Sequence, residues 1–326
     1  MLLKKNERNG IAVAGSIIVD KINEIKAYPQ SGELTQIINL QQAVGGCVPN
    51  VALDLKKICP ELDITAIGKV GNDEEGAYVL GVLSQGGVDI SGIVADDGEK
   101  TSFTEVMSVI NGQRTFFTYP GASAKFGYSD INFEHMDAKI MLLGYFLLLE
   151  KVDQGDGLLI LKKAQEVGIK TSIDLVSENS DRYSLVLPCL PYTDYLIINE
   201  MEAGKLTGME PTDENLKAIA CRLQELGVRE KVVIHKPDYA VCLSGEEYTV
   251  VPSYRLPDGY IKGTTGAGDA FCAGTLIGIY KGWSDKDALE FGSGCAVMAL
   301  GKADATSGLV TEKQIKEFCK QFERQF

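Results

Sequence analysis

Apolar residues follow two rhythms along this chain. Short runs of aliphatic and β-branched residues, such as "IAVAGSIIVD" (11–20), "DITAIGKVG" (63–71), "KTSIDLV" (170–176), "DYLIINE" (194–200) and "KVVIH" (231–235), read as strands. Between them lie longer stretches with apolar positions three and four apart: "PNVALDLKKI" (49–58), "EEGAYVLGVLSQGG" (74–87), "LLILKKAQEVG" (158–168), "LKAIACRLQELG" (216–227) and the segment after Gly268. These read as helices. Strand followed by helix at this spacing predicts a parallel sheet covered on both faces, and the nearly unbroken apolar runs "YLIIN" and "VVIH" fit strands buried on both sides.

Two segments depart from that rhythm. Residues 21–44 and 100–120 are β-rich, and the second contains Asn111-Gly112, a dipeptide suited to a hairpin turn. They predict a small β-sheet projecting from the main body as a lid, inserted into a single domain spanning 1–326. The apolar run "IMLLGYFLLLE" from Ile140 is much shorter than the ~20 residues of a membrane helix and reads as buried core. With 326 residues, 45% of them hydrophobic, the chain can bury a large core.

Net charge is −13, which removes the counterion-release advantage that a nucleic-acid binder exploits. No nucleic-acid or membrane partner is expected. The N-terminus "MLLKKNERNG" offers no signal-peptide apolar region. Eight scattered cysteines without a Cys-x-x-Cys pair suit reduced, buried thiols in the cytoplasm. Only two histidines, His135 and His235, leave little material for His-dependent triads or metal sites.

The chemistry concentrates in "GTTGAGDAF", Gly263 to Phe271. Gly266-Ala267-Gly268-Asp269 precedes a helical run, so the loop sits at a helix N-terminus, where unpaired amides and the helix dipole favour an anion. Asp269 in the first turn is expected to be held ionised there, able to accept a proton from a hydroxyl. A tight turn with Asp269 as a helix cap is the alternative. Three companions bear on this choice. "GGCVPN" (Gly45 to Asn50) also enters a helix. Asp20 ends the first predicted strand. Asn199 and Glu202 stand three apart after another strand, where a capping box is the competing explanation.

Taken together, "VAGSIIVD", "VGGCVPNVA", "DYLIINEMEAGKLTG" and "GTTGAGDAFCAG" resemble the ribokinase-like (PfkB-type) carbohydrate kinase family along nearly the whole chain. The resemblance implies a three-layer α/β/α sandwich with a mostly parallel central sheet and a β-sheet lid. The implied activity is transfer of the γ-phosphoryl group of ATP to a hydroxyl of a free sugar resembling ribose, fructose or a ketodeoxy sugar acid. It further implies Asp269 as general base and Gly266, Ala267 and Gly268 as an anion hole. Asp20, Gly45, Gly46 and Asn50 would hold sugar hydroxyls. Asn199 and Glu202 would organise Mg2+ and the phosphates, with Glu202 acting on the metal indirectly. Ser293 stands where some members carry an asparagine near the nucleotide. Phosphoryl transfer needs positioning and charge neutralisation more than a covalent nucleophile, so these residue types suffice.

Several positions depart from the family. Gly263 replaces a common acidic residue beside the anion hole, so activation by a monovalent cation is not implied. "HKPDYA" (His235 to Ala240) replaces a glycine-bearing nucleotide hairpin, and Pro237 removes an N–H there. Lys236 could reach the nucleotide phosphates or simply be solvated. On the expected lid, Arg114 could meet an anionic substrate group, and Phe116 or Tyr119 could pack on a sugar; solvation and lid-core packing are the alternatives. Two further functions stay open: a nucleoside kinase of the same architecture, and a sugar-binding protein without catalysis. The lid edge is expected to allow pairing into a homodimer.

Overall fold

In the computed structural model, which describes residues 8–109, 114–178 and 180–326, thirteen strands and nine α-helices alternate largely as the hydrophobic rhythm predicts. The Asn111-Gly112 dipeptide lies outside the described residues. The strands are β1 (Ile11–Gly15), β2 (Ile18–Ile25), β3 (Ile37–Gly45), β4 (Ile64–Gly71), β5 (Asp89–Asp96), β6 (Ser102–Val109) and β7 (Arg114–Tyr119), then β8 (Ile140–Phe146), β9 (Lys170–Leu175), β10 (Tyr195–Asn199), β11 (Lys231–His235), β12 (Tyr239–Ser244) and β13 (Glu247–Pro252). The helices are α1 (Cys47–Ile58), α2 (Glu74–Gln85), α3 (Gly121–Ala124), α4 (Gly157–Glu166), α5 (Glu200–Thr207), α6 (Leu216–Glu225), α7 (Ala267–Lys281), α8 (Asp285–Leu300) and α9 (Glu312–Cys319).

Nine strands form the main sheet in the order β13-β12-β11-β10-β9-β8-β1-β4-β5. From β11 to β5 neighbouring strands run parallel, and the β12–β13 hairpin adds an antiparallel edge. Alternation along β1 divides the core in two. Ile11 and Val13 pack with α1, α2, α7 and α8, whereas Ala12 and Ala14 pack with α4, α5 and α6. The result is three layers. The chain order reverses between β1 and β8, the kind of point where open α/β sheets leave a crevice beyond their carboxyl ends.

The second sheet has the order β3-β2-β6-β7, with β2 and β6 parallel. Its strands begin at residue 18 and not near 21, because the expected single strand over 11–20 is interrupted. Gly15 stands at φ 144, with room for a Cβ only 2.5 Å from the Gly144 carbonyl oxygen. Ser16 then caps α1: its Oγ accepts from Cys47 N–H (3.1 Å) and its carbonyl from Val48 N–H (3.1 Å). Asp20 therefore lies within β2 of the small sheet, not at the end of a main-sheet strand. Where the chain crosses between sheets, Ile17 is pinned to the other insertion. Its N–H donates to Ser123 Oγ (3.1 Å), and that hydroxyl donates to the Ile17 carbonyl (2.9 Å).

Candidate active site

Asp269 lies in the first turn of α7, 5% exposed, beyond the β1/β8 reversal. Its Oδ2 accepts two hydrogen bonds, from Asn50 Nδ2 (2.9 Å) and from the Tyr145 hydroxyl (3.0 Å). Oδ1 has no hydrogen bond among the described residues, so one oxygen is fixed while the other is left for a ligand. Burial pushes the carboxyl up to about 6, against the pull of the Asn50 and Tyr145 donors. The helix terminus therefore does not hold Asp269 at an ordinary low value. It remains mostly ionised at neutral pH, close to where a general base works best.

The loop ahead of it is built for close approach. Gly266 caps α7 in the left-handed region at φ 78, where a Cβ would meet Ala305 at 2.6 Å. No side chain caps this helix. The Ala267 N–H does reach the Thr264 carbonyl at 3.3 Å, so within the expected Gly266–Gly268 anion hole that amide is already engaged. Space opens in front of Gly268, where the nearest atom to an added Cβ is His235 Cε1 at 3.7 Å. The His235 ring tilts against Phe271 with centroids 4.8 Å apart, and burial lowers it to about 4, so it is neutral at physiological pH.

On the α1 side, Gly46 stands at φ 86 with a Cβ position 2.7 Å from the Ser16 carbonyl oxygen. At Gly45 the missing Cβ leaves room for the Asp20 carboxylate, whose Oδ2 would sit 2.4 Å from it. Burial raises Asp20 to about 6. Asp20 and Gly45 thus come together, and α1 carries Asn50 (3% exposed) directly to Asp269.

Asn199 and Glu202 form a capping box on α5: Glu202 N–H donates to Asn199 Oδ1 (2.9 Å), and Asn199 N–H donates to Glu202 Oε2 (3.1 Å). Ser177 joins them. Its hydroxyl donates to Glu202 Oε1 (2.8 Å) and accepts from Asn199 Nδ2 (2.8 Å). Burial lifts Glu202 to about 7. Asp174, at the end of β9, is pushed well above the carboxylate range by burial and then by Glu202 and Asp269. Ionising all three carboxyls would gather negative charge that a divalent cation would relieve. Among the described residues no three His, Cys, Asp or Glu side chains converge to hold a metal alone.

Other expected contacts lie elsewhere. The buried Ser293 hydroxyl donates to the Leu289 carbonyl within α8 (2.9 Å). In "HKPDYA" the strands β11 and β12 pair from His235 opposite Ala240, and Lys236 N–H bonds the Tyr239 carbonyl (3.0 Å). Pro237 thus occupies the second position of a tight turn, where its fixed φ is suitable. The Lys236 ammonium is paired with Asp213 and is not a free cation. Arg114 and Phe116 are exposed on β7, while Tyr119 stacks on Phe103 with centroids 5.3 Å apart. Tyr145, Ser177 and Asp174 belong to the site although nothing in their spacing marked them. A hydroxyl-bearing residue inside the apolar run "IMLLGYFLLLE" was the one available signal for Tyr145.

Comparison with known proteins agrees with this architecture. The family model "pfkB family carbohydrate kinase" matches residues 9–312. A 5-dehydro-2-deoxygluconokinase of Clostridium perfringens is 25% identical over 305 residues, covering 90% of this chain and 88% of that protein. Fructokinase-1 of Oryza sativa is 25% identical over 290 residues, covering 84% and 87%. Among solved structures, Arabidopsis thaliana ribokinase complexed with ribose and ATP superposes with a TM-score of 0.84 at 23% identity, covering 96% of this chain and 99% of that one. A Methanocaldococcus jannaschii nucleoside kinase of the ribokinase family gives 0.79 at 18% identity, covering 97% and 99%. The fold is ribokinase-like, and the chain belongs to the pfkB family of carbohydrate kinases.

Proposed function

We propose that this chain transfers the γ-phosphoryl group of ATP to a hydroxyl of a free sugar, with Asp269 as the general base. The observation that carries the reading is the pair of donors on Asp269 Oδ2, which aims a buried carboxylate at the mouth of a glycine-lined helix N-terminus. The substrate hydroxyl would hydrogen-bond Asp269 Oδ1 and surrender its proton as its oxygen attacks phosphorus. Charge on the migrating phosphoryl group would be met by the first-turn amides of α7 around Gly268. Asp20, Gly45, Gly46 and Asn50 would seat the sugar, Asn50 through the second hydrogen of Nδ2, the first being given to Asp269. They lie around the small sheet and the start of α1, with no cluster of Lys or Arg in "VGGCVPN" to favour a sugar phosphate.

Mg2+ would arrive with the nucleotide. Both Glu202 oxygens are committed to the α5 cap and Ser177, so Glu202 and Asn199 would hold the ion through its water shell. An arriving cation would favour ionisation of Asp174, Glu202 and Asp269, whose mutual repulsion and burial oppose it otherwise. Bound Mg2+ would neutralise phosphate charge and orient the leaving group. Within a single domain, the small sheet would act as a lid that excludes water, the competing acceptor. Its outer strands expose Leu40 (69%) and Phe116 (61%), apolar surface suited to a homodimer through the lid. Eight free cysteines fit a cytoplasmic setting.

The test is acceptor-dependent ADP formation from Mg·ATP or Mg·GTP across pentoses, hexoses, sugar acids and nucleosides. Turnover with a sugar supports the reading, and turnover confined to nucleosides replaces the acceptor. Tight sugar binding without turnover makes the chain a binding protein.

A further inference from the structure

Helix α1 carries a second acidic residue that the proposed reaction does not use. Asp54 is 0% exposed, and neither of its carboxyl oxygens has a hydrogen-bond partner among the described residues. Four residues earlier, Asn50 Oδ1 is likewise buried and without a partner, while its Nδ2 is committed to Asp269. Residues four apart on a helix share a face and stand one above the other. The face in question packs against α7, the helix that carries Asp269.

Two buried acceptors on one helix face are both left unsatisfied, and an unpaired charge in such a place is costlier still. One proton removes both problems, since a carboxylic acid donates where a carboxylate cannot. We propose that Asp54 is a neutral carboxylic acid that donates to Asn50 Oδ1. It thereby fixes the Asn50 amide with Nδ2 aimed at Asp269 Oδ2 and leaves Asp269 Oδ1 for the acceptor hydroxyl. Asp54 is a positioning residue, acting through Asn50, and this part rests on Asp269 being the base.

The surroundings favour the proton. Facing Asp54 are Asp269 on α7, Cys295 on α8, Asp304 in the loop after α8 and Lys57 on α1 itself. Lys57 donates to the Thr306 carbonyl and makes no ion pair with Asp54 among the described residues. Burial first, then Asp269, push the Asp54 carboxyl well above the usual range; Lys57 pulls the other way, and Asp304 adds a smaller push. An ionised Asp54 would also oppose the ionisation of Asp269, on which proton abstraction depends.

Two substitutions and one spectrum test this. Asp54→Asn keeps a donor for Asn50 Oδ1, and Asp54→Ala removes it. The expected turnover is within about twofold of the parent for D54N and about tenfold lower for D54A, with the loss falling more on kcat than on sugar KM. An infrared difference spectrum of the parent minus D54N at pH 7 should contain the carbonyl stretch of a protonated carboxylic acid. That band reads the proton without reference to turnover, so it can be present even if the chain phosphorylates nothing, in which case only the kinase reading fails. Absence of the band overturns the proposal, as does a D54N variant as impaired as D54A, which would mean that a negative charge is required there. D54A turning over like the parent overturns the link to Asn50. Should D54A fail to fold, the spectrum and the D54N kinetics still decide.

Discussion

The hydroxyl of Tyr145, at the end of β8, donates to Asp269 Oδ2 across 3.0 Å, joining two residues 124 positions apart in the chain. Tyr145 holds φ 58, a left-handed backbone value that a bulky side chain seldom adopts and that carries roughly 1–2 kcal/mol of strain. Tyr145→Phe keeps the ring and the backbone but deletes the donor. Because that donor lowers the Asp269 value, its loss should move the acid limb of the kcat/KM profile upward from about 6 and reduce turnover several-fold at pH 7. An unmoved limb in stopped-time assays across pH would separate Tyr145 from the base.

Asp269→Asn should reduce kcat by several orders of magnitude while sugar affinity, measured by calorimetry, changes little. Near-normal turnover in this variant would remove the assigned base.

The pH dependence follows from the raised value. With Asp269 as the proposed base, activity would need the carboxylate, so kcat/KM should fall about tenfold per pH unit below about 6 and level off above it. Stability runs the other way. The folded protein holds its proton more tightly than the unfolded chain, so this group costs stability progressively as pH rises from about 4 to about 6. Thermal melts of Asp269→Asn against the parent should show an advantage for the variant that grows over that window and then stays constant.

Asp20 and Gly45 share one small space, and either can be disturbed through the other. Asp20→Ala should weaken apparent sugar affinity about tenfold with a smaller effect on kcat. Gly45→Ala would place a methyl group 2.4 Å from Asp20 Oδ2 and should produce a similar rise in KM by displacing the carboxylate. Unchanged sugar affinity in both variants would move the acceptor pocket away from β2.

If the small sheet pairs two copies, Leu40→Lys should shift the protein from dimer to monomer in light scattering coupled to size-exclusion chromatography. A parent that already runs as a monomer would refute lid-to-lid pairing.

The sequence made legible what depends on local pattern. The strand and helix rhythm, the glycine-bordered start of α7, the Gly-Gly approach to α1 and the β-rich insertions all follow from spacing and residue type over a few positions. What escaped was the set of contacts made between distant elements. Tyr145 reads as core because its strand is apolar, and only the fold, which brings the end of β8 within reach of the first turn of α7, lets its hydroxyl meet Asp269. Ser177 and Asp174 are ordinary loop and strand residues until β9 and β10 are placed side by side. The break after Gly15 was missed because "IAVAGSIIVD" keeps its apolar character through it, while backbone crowding at Gly144 and the capping of α1 by Ser16 decide the bend. Ser293 shows the reverse case: its spacing says nothing of the carbonyl four residues back to which its hydroxyl donates.

The double clasp of Ile17 and Ser123 bears on how the small sheet could travel. Both stalks of that sheet meet at this crossing, through one hydroxyl that serves as acceptor for one bond and donor for the other, next to the first residues of the β2–β6 pairing. A push on β3 or β2 would therefore be handed to β6 and β7, so any movement of the sheet should carry all four strands together. A substrate touching any of its four strands would recruit them all.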